Sequence, residues 1–108
     1  MAQFMLLLYD EPAAWGKLSP GDAQKLMERY GAWRKESFCV DGKRLAPDMG
    51  KVVRKTTGPT DGPYSATKEI LGGYYTIDAA DYAGAVKLSL THPHLDMGTI
   101  EVRHVYGT

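Results

Sequence analysis

The groups in this chain that could do chemistry are three histidines, one cysteine and the charged residues around a Gly-Pro loop. His92 and His94 flank Pro93, and His104 stands near the carboxyl end. Neutral imidazole titrates near physiological pH, so His92 is a candidate general acid or base. A histidine at a helix end also suits the helix dipole, which is the plainer reading. Three imidazoles could hold a metal with one open position. The His-Pro-His spacing fits no ligand pattern, however, and no cysteine stands near it, so neither a metal nor another cofactor is expected. Cys39 has no histidine or helix start beside it in sequence that would make it a thiolate nucleophile.

Asp61, Lys68 and Glu69 surround the segment Asp61-Gly62-Pro63-Tyr64. Lys68 could bind an anionic ligand while Asp61 or Glu69 handles a proton, given burial that tunes their pKa values. The competing reading of Asp61-Gly62-Pro63 is turn chemistry, with the Asp side chain bonded to nearby amides. Near the carboxyl end Glu101 and Arg103 alternate with Ile100 and Val102 and share the opposite strand face. Arg103 could clamp a carboxylate or phenolate there, or pair with Glu101. Trp15, Trp33, Tyr64, Tyr74 and Tyr75 could wall an aromatic pocket. Tyr64 and Tyr74 lie nearest the loop and are the better ligand-binding candidates, whereas Trp33 reads as core.

The elements that must position these groups follow from periodicity. Gln3 to Tyr9 is an apolar run of strand length. Glu11 to Leu18, with Pro12 and Gly16, reads as a loop. Ser19-Pro20 opens a helix, with Ser19 as cap and Pro20 at the first position. Ala23, Leu26, Met27, Tyr30 and Trp33 form its buried stripe, Gly31 permits a close approach, and Asp41-Gly42 ends the segment with a turn. Lys51 to Thr56 is the second strand, and a loop spans Thr57 to Pro63. Glu69 to Ile77 is the third strand, where Gly72-Gly73 suggests a bulge. Asp78 and Asp81 are spaced like a capping box for a helix running to about Thr91, which His92-Pro93 stops. Thr99 to Tyr106 closes the chain as the last strand.

The order βαββαβ predicts an α+β, ferredoxin-like sheet with both helices on one face, in one domain over residues 1–108. The first strand is apolar at odd and even positions alike. Its far face is therefore hydrophobic too, and face-to-face pairing with a second copy is expected.

Composition narrows the partners. Hydrophobic residues make up 44% and charged residues 24% of 108 residues, the balance of a globular domain. Thirteen basic residues cancel 13 acidic ones, so direct nucleic-acid binding is not expected. The lone cysteine gives no internal disulfide. The first apolar run is too short for a secretory signal, and no stretch is long enough for a membrane span, so the expected location is the cytoplasm.

Asp61-Gly62-Pro63-Tyr64, Thr67-Lys68-Glu69 and Gly72-Gly73-Tyr74-Tyr75 form an ordered series. With the opening Met5-to-Tyr9 strand, His92-Pro93 and the closing Ile100 to Arg103, the series resembles the YCII-related family, and within it the subgroup with a DGPF motif. The resemblance implies a dimeric α/β barrel of ferredoxin-like units. Some relatives of the broader group carry a proposed catalytic His–Asp pair, and one branch is a dehydrochlorinase of chlorinated hydroxyquinols. The subgroup often accompanies extracytoplasmic-function sigma factors. This chain has Tyr30-Gly31 and His92 where that pair would stand, so the pair's chemistry does not transfer. Two functions remain. The first is a homodimer binding a small anionic or phenolic molecule in a cleft near Asp61–Tyr64, with proton-transfer or elimination chemistry through His92 or Asp61 and ligand contacts from Lys68, Arg103, Tyr64 and Tyr74. The second is a non-catalytic interaction module acting with a sigma factor.

Overall fold

The computed structural model describes residues 1–108. Its main sheet has four strands: β1 (Ala2–Asp10), β2 (Cys39–Arg44), β5 (Ile70–Ala79) and β6 (Gly98–His104). They lie in the order β2-β5-β1-β6, and every neighbouring pair is antiparallel. Helices α2 (Pro20–Arg34) and α3 (Tyr82–Ser89) pack on one face of this sheet, in the split βαβ arrangement of a ferredoxin-like fold. A separate hairpin of β3 (Lys51–Arg54) and β4 (Gly58–Asp61) is inserted between β2 and β5.

Strand alternation decides which side chains meet the helices. In β1, Phe4, Leu6, Leu8 and Asp10 are buried, while Gln3, Met5, Leu7 and Tyr9 turn to the opposite face. In β5 the buried set is Ile70, Gly73, Tyr75, Ile77 and Ala79. Trp33 of α2 and Ala85 of α3 complete the core over these strands. Leu6 and Ile77 are fully inaccessible, and each contributes about 1.5–3 kcal/mol by leaving water. The caps are local: the Ser19 hydroxyl accepts from the Asp22 amide at 3.1 Å, and Asp81 accepts from the Gly84 amide at 2.8 Å.

Four elements differ from the sequence reading. The segment read as a loop from Glu11 to Leu18 contains a short helix, α1 (Pro12–Gly16). Pro12 starts it with a preset φ, and Trp15 ties it down through a bond to Asp10. Asp41-Gly42 is not a turn: both residues lie within β2, opposite Thr76 and Tyr75. Gly is needed at 42 because a Cβ there would come within 2.6 Å of the Tyr75 ring. The sheet's second strand is therefore Cys39–Arg44. The expected strand from Lys51 instead pairs with Gly58–Asp61, inside the segment read as a loop. Asp78 stays in β5, so Asp81 caps α3 without it. The expected irregularity at Gly72-Gly73 is present: Leu8 pairs with Gly73 and Tyr9 with Leu71, leaving Gly72 as the extra residue.

The radius of gyration is 15.2 Å, against about 13 Å for an ordinary domain of this length. A thickness of 18 Å across extents of 41 Å reflects one helical layer on one sheet. No helix is long and apolar enough to cross a membrane.

Candidate functional site

Between α2 and the β2–β5 side of the sheet lies a cavity of about 290 Å3. Leu8, Gly42 and Tyr75 supply sheet surface, and Met27, Tyr30, Gly31 and Arg34 form the α2 wall. These four helix positions share a face because they are three or four residues apart, or one apart at its edge. Trp15 of α1 and the Leu45–Pro47 segment border the cavity, and Asp10 and His94 reach it from the ends of their elements.

The polar groups here are linked. Tyr30 Oη lies 2.6 Å from His94 Nδ1, and His94 Nε2 lies 2.8 Å from the Tyr9 carbonyl oxygen. A carbonyl only accepts, so Nε2 carries the proton; in the neutral ring Nδ1 accepts and the Tyr30 hydroxyl donates. Burial, with the Asp10 carboxylate second, pushes the Tyr30 hydroxyl above the ordinary tyrosine range, which keeps it a donor. Tyr75 is pushed up to about 12, chiefly by burial and then by Cys39, against the opposing charge of Arg34.

Asp10 is 8% exposed and is the one acidic residue lining the cavity. Its Oδ2 accepts from Trp15 Nε1 at 2.6 Å. The Arg44 guanidinium lies 5.5 Å from the centre of the Trp15 ring and donates to Met27 Sδ at 3.9 Å, with no carboxylate partner. Arg34 sits 3.7 Å from Asp41. The cavity thus combines apolar walls with a few converging charged and hydroxyl groups, the usual make-up of a small-molecule site.

His92 lies behind this wall and is 2% exposed. Its ring packs edge-on against Tyr30 at 4.8 Å and Trp33 at 4.6 Å, and tilted against Tyr75 at 5.0 Å. Nδ1 accepts the His94 amide at 2.9 Å, and buried Nε2 has no partner. Burial lowers the His92 pKa to about 4, with His94 and Arg29 adding to the effect, so the ring is neutral at physiological pH.

The other residues singled out in the sequence lie elsewhere. Asp61 pairs with Lys51 on the inserted hairpin, where its side chain is 84% exposed, in a shallow depression apart from the cavity. Tyr64 is 82% exposed and lies under the Arg54 guanidinium at 5.7 Å. Lys68 is exposed on the segment leading into β5. Arg103 is on the far sheet face, 3.6 Å from Glu101, which also accepts from the Tyr9 hydroxyl at 3.2 Å. Tyr74 borders the cavity, but its side chain alternates with that of Tyr75 and stands on the far face opposite Leu7 and Lys43. Of the other aromatic candidates, Trp15 and Tyr75 border the cavity, whereas Trp33 is core. No cluster of three His, Cys, Asp or Glu side chains is disposed to hold a metal.

Asp10 and Arg44 were not reached from sequence. Strand alternation puts Asp10 in phase with Phe4, Leu6 and Leu8, but a run that is apolar on both faces does not say which face is buried. Arg44 gives no signal either, because the Asp41-Gly42 pair just before it has the residue types of a turn.

The family profile of the YCII-related domain matches residues 2–107. The chain belongs to the YCII-related family. No curated protein sequence matches it. Among solved structures, this YCII-related chain is similar to the 5-chloro-2-hydroxyhydroquinone dehydrochlorinase of Burkholderia phenoliruptrix AC1100, in complex with 2,5-dihydroxybenzoquinone. The two share 11% identity at a TM-score of 0.59, over 98% of this chain and 95% of that one. At that identity the likeness concerns the fold.

Proposed function

We propose that this YCII-related domain binds a small anionic or phenolic molecule in the cavity between α2 and β2–β5, and that its chemistry is proton transfer or elimination. The observation that carries this reading is the convergence of Asp10, Tyr30, His94, Arg34 and Arg44 on one largely apolar space of about 290 Å3. Two arginines favour an anion. Asp10, with one oxygen held by Trp15, keeps the other for a ligand proton. Both nitrogens of His94 and Nδ1 of His92 are already engaged, so Asp10 rather than a histidine is the proton acceptor. The structural neighbour is named for a dehydrochlorination and is complexed with a dihydroxyquinone, which agrees with this ligand class. The cavity also replaces the expected cleft at Asp61–Tyr64 as the favoured location.

The working unit is a homodimer formed through the far sheet face. Met5, Leu7, Tyr9 and Tyr74 give that face an apolar centre, and the core helices pack on the other side of the sheet. Glu101 and Arg103 border that centre on β6.

The test uses Gly31, which borders the cavity and has open space where a Cβ would stand. Calorimetric titration with a panel of aromatic acids and phenols is expected to give binding in the parent protein. Gly31→Leu is expected to abolish it while the helix gains about 1 kcal/mol. Undiminished binding in the variant would remove the cavity as the site. Absence of any binding in the parent protein would return the interaction-module reading, with a sigma factor as the first partner to try.

A further inference from the structure

Trp15 makes two contacts that belong together. Its indole N–H donates to Asp10 Oδ2 at 2.6 Å, and its ring lies 5.5 Å from the Arg44 guanidinium. The ring is also edge-on to Tyr30 at 5.9 Å. One side chain therefore touches the cavity's one carboxylate, an arginine without a carboxylate partner, and the donor of the Tyr30–His94 link.

We propose that Trp15 is the positioning residue that sets ligand specificity at this site. Its N–H fixes Asp10 and its ring seats Arg44, so the site reads a flat anion that also carries a hydroxyl group. The inference rests on the binding function proposed above and deepens it.

The physical argument has two parts. The bond from Trp15 occupies one Asp10 oxygen and orients the carboxylate, which leaves Oδ1 directed at Gly72 on the cavity wall. An oriented carboxylate oxygen accepts from a ligand hydroxyl with little further ordering. Arg44 belongs to an edge strand and is exposed, so its guanidinium would otherwise sample many positions. The indole face restricts it by cation–π attraction without neutralising it, and its charge stays available to a ligand anion. A carboxylate partner in place of Trp15 would hold Arg44 as well but would cancel that charge.

The two roles use different parts of the same side chain, and substitutions separate them. Trp15→Phe keeps a ring under Arg44 and removes the N–H. Trp15→Leu removes both. Asp10→Asn removes the charged acceptor directly and serves as a second variant, independent of α1. Arg44→Gln removes the anion contact. Thermal melting reports whether each variant is folded.

The experiment measures the affinities of benzoate and of the three monohydroxybenzoates, all singly ionised at neutral pH. In the parent protein at least one hydroxybenzoate is expected to bind about tenfold more tightly than benzoate, the size of one hydrogen bond to a charged acceptor. Trp15→Phe and Asp10→Asn are each expected to bring that ratio close to one. Arg44→Gln is expected to weaken all four acids about tenfold and to keep the ratio, and Trp15→Leu to lose both. A ratio that survives in Trp15→Phe and Asp10→Asn overturns the assignment while leaving the cavity as a binding site. So does benzoate binding as tight in Arg44→Gln as in the parent. If the parent protein binds none of the four acids, the assignment fails together with the binding function.

Discussion

The Tyr30 hydroxyl and the His94 imidazole are joined by a 2.6 Å hydrogen bond across a sequence separation of 64 residues. The bond locks α2 to the turn Pro93–Asp96, and that turn is locked to β1 by the 2.8 Å bond from His94 Nε2 to the Tyr9 carbonyl. Tyr30→Phe keeps the ring against Trp15 and His92 but leaves buried Nδ1 without a donor. The expected loss of stability is about 1–3 kcal/mol, read as a lower urea midpoint with an unchanged slope.

Stability is expected to depend on pH through His92. Its folded pKa of about 4 lies below its ordinary 6.5, so the unfolded chain binds the proton more tightly. The contribution of His92 is thus fully present above pH 6.5 and is lost as pH falls from 6.5 through about 4. At most it amounts to about 3 kcal/mol. A proton on Nδ1 would also face the His94 amide, so acid is expected to loosen the turn that carries His94. His92→Asn keeps an acceptor for that amide and removes the titration. Urea midpoints measured from pH 7 to pH 4 should fall steeply in the parent protein and much less in the variant.

Asp61 ends strand β4 with its carboxylate on Lys51 and not on backbone amides, so it is expected to serve the inserted hairpin rather than a ligand. The Lys51–Asp61 ion pair is largely exposed, so Asp61→Ala should cost under about 1 kcal/mol and leave calorimetric affinities in the cavity within about twofold. Gly62 is different. A Cβ there would overlap the Met49 carbonyl, and its amide donates to the Gly50 carbonyl at 2.9 Å. Gly62→Ala should cost about 1–3 kcal/mol by forcing the backbone apart, measured by the same unfolding titration.

Leu7 lies at the centre of the far face, between Tyr74 on β5 and Glu101 on β6. A charge there has little to disturb within one subunit but would oppose burial against a second. Leu7→Lys is expected to convert a sedimenting dimer into a monomer while changing the monomer's fold little, as judged by circular dichroism. A parent protein that sediments as a monomer would dismiss the far-face interface.

What the sequence determined by itself is the part of the structure written in short-range chemistry. Ser19-Pro20 and Asp81 start helices because a side-chain oxygen three residues before an amide can cap it in any context. The alternation of Ile100 and Val102 with Glu101 and Arg103 sets the faces of the last strand because side chains alternate along an extended backbone, whereas Gln3 to Tyr9 is an unbroken apolar run that leaves its core face undecided. Those signals locate the first and last strands and the two main helices, whereas the expected order counts Lys51 to Thr56 as the second sheet strand, a place that Cys39–Arg44 takes. Tertiary structure alone decided that Cys39–Arg44, which is polar and contains an Asp-Gly pair, is a sheet strand: its pairing comes from β5, and Gly42 is there for the Tyr75 ring. It also decided the candidate site. Asp10, Trp15, Tyr30, Arg44 and His94 share no sequence spacing, and each reads alone as a strand end, a loop, a core stripe, a turn or a helix stop. They meet because antiparallel pairing of β1 with β5 and β6 returns the chain to one end of the sheet, where α2 crosses above it. Proximity across 64 residues comes from long-range packing, and no local pattern of residue types encodes it.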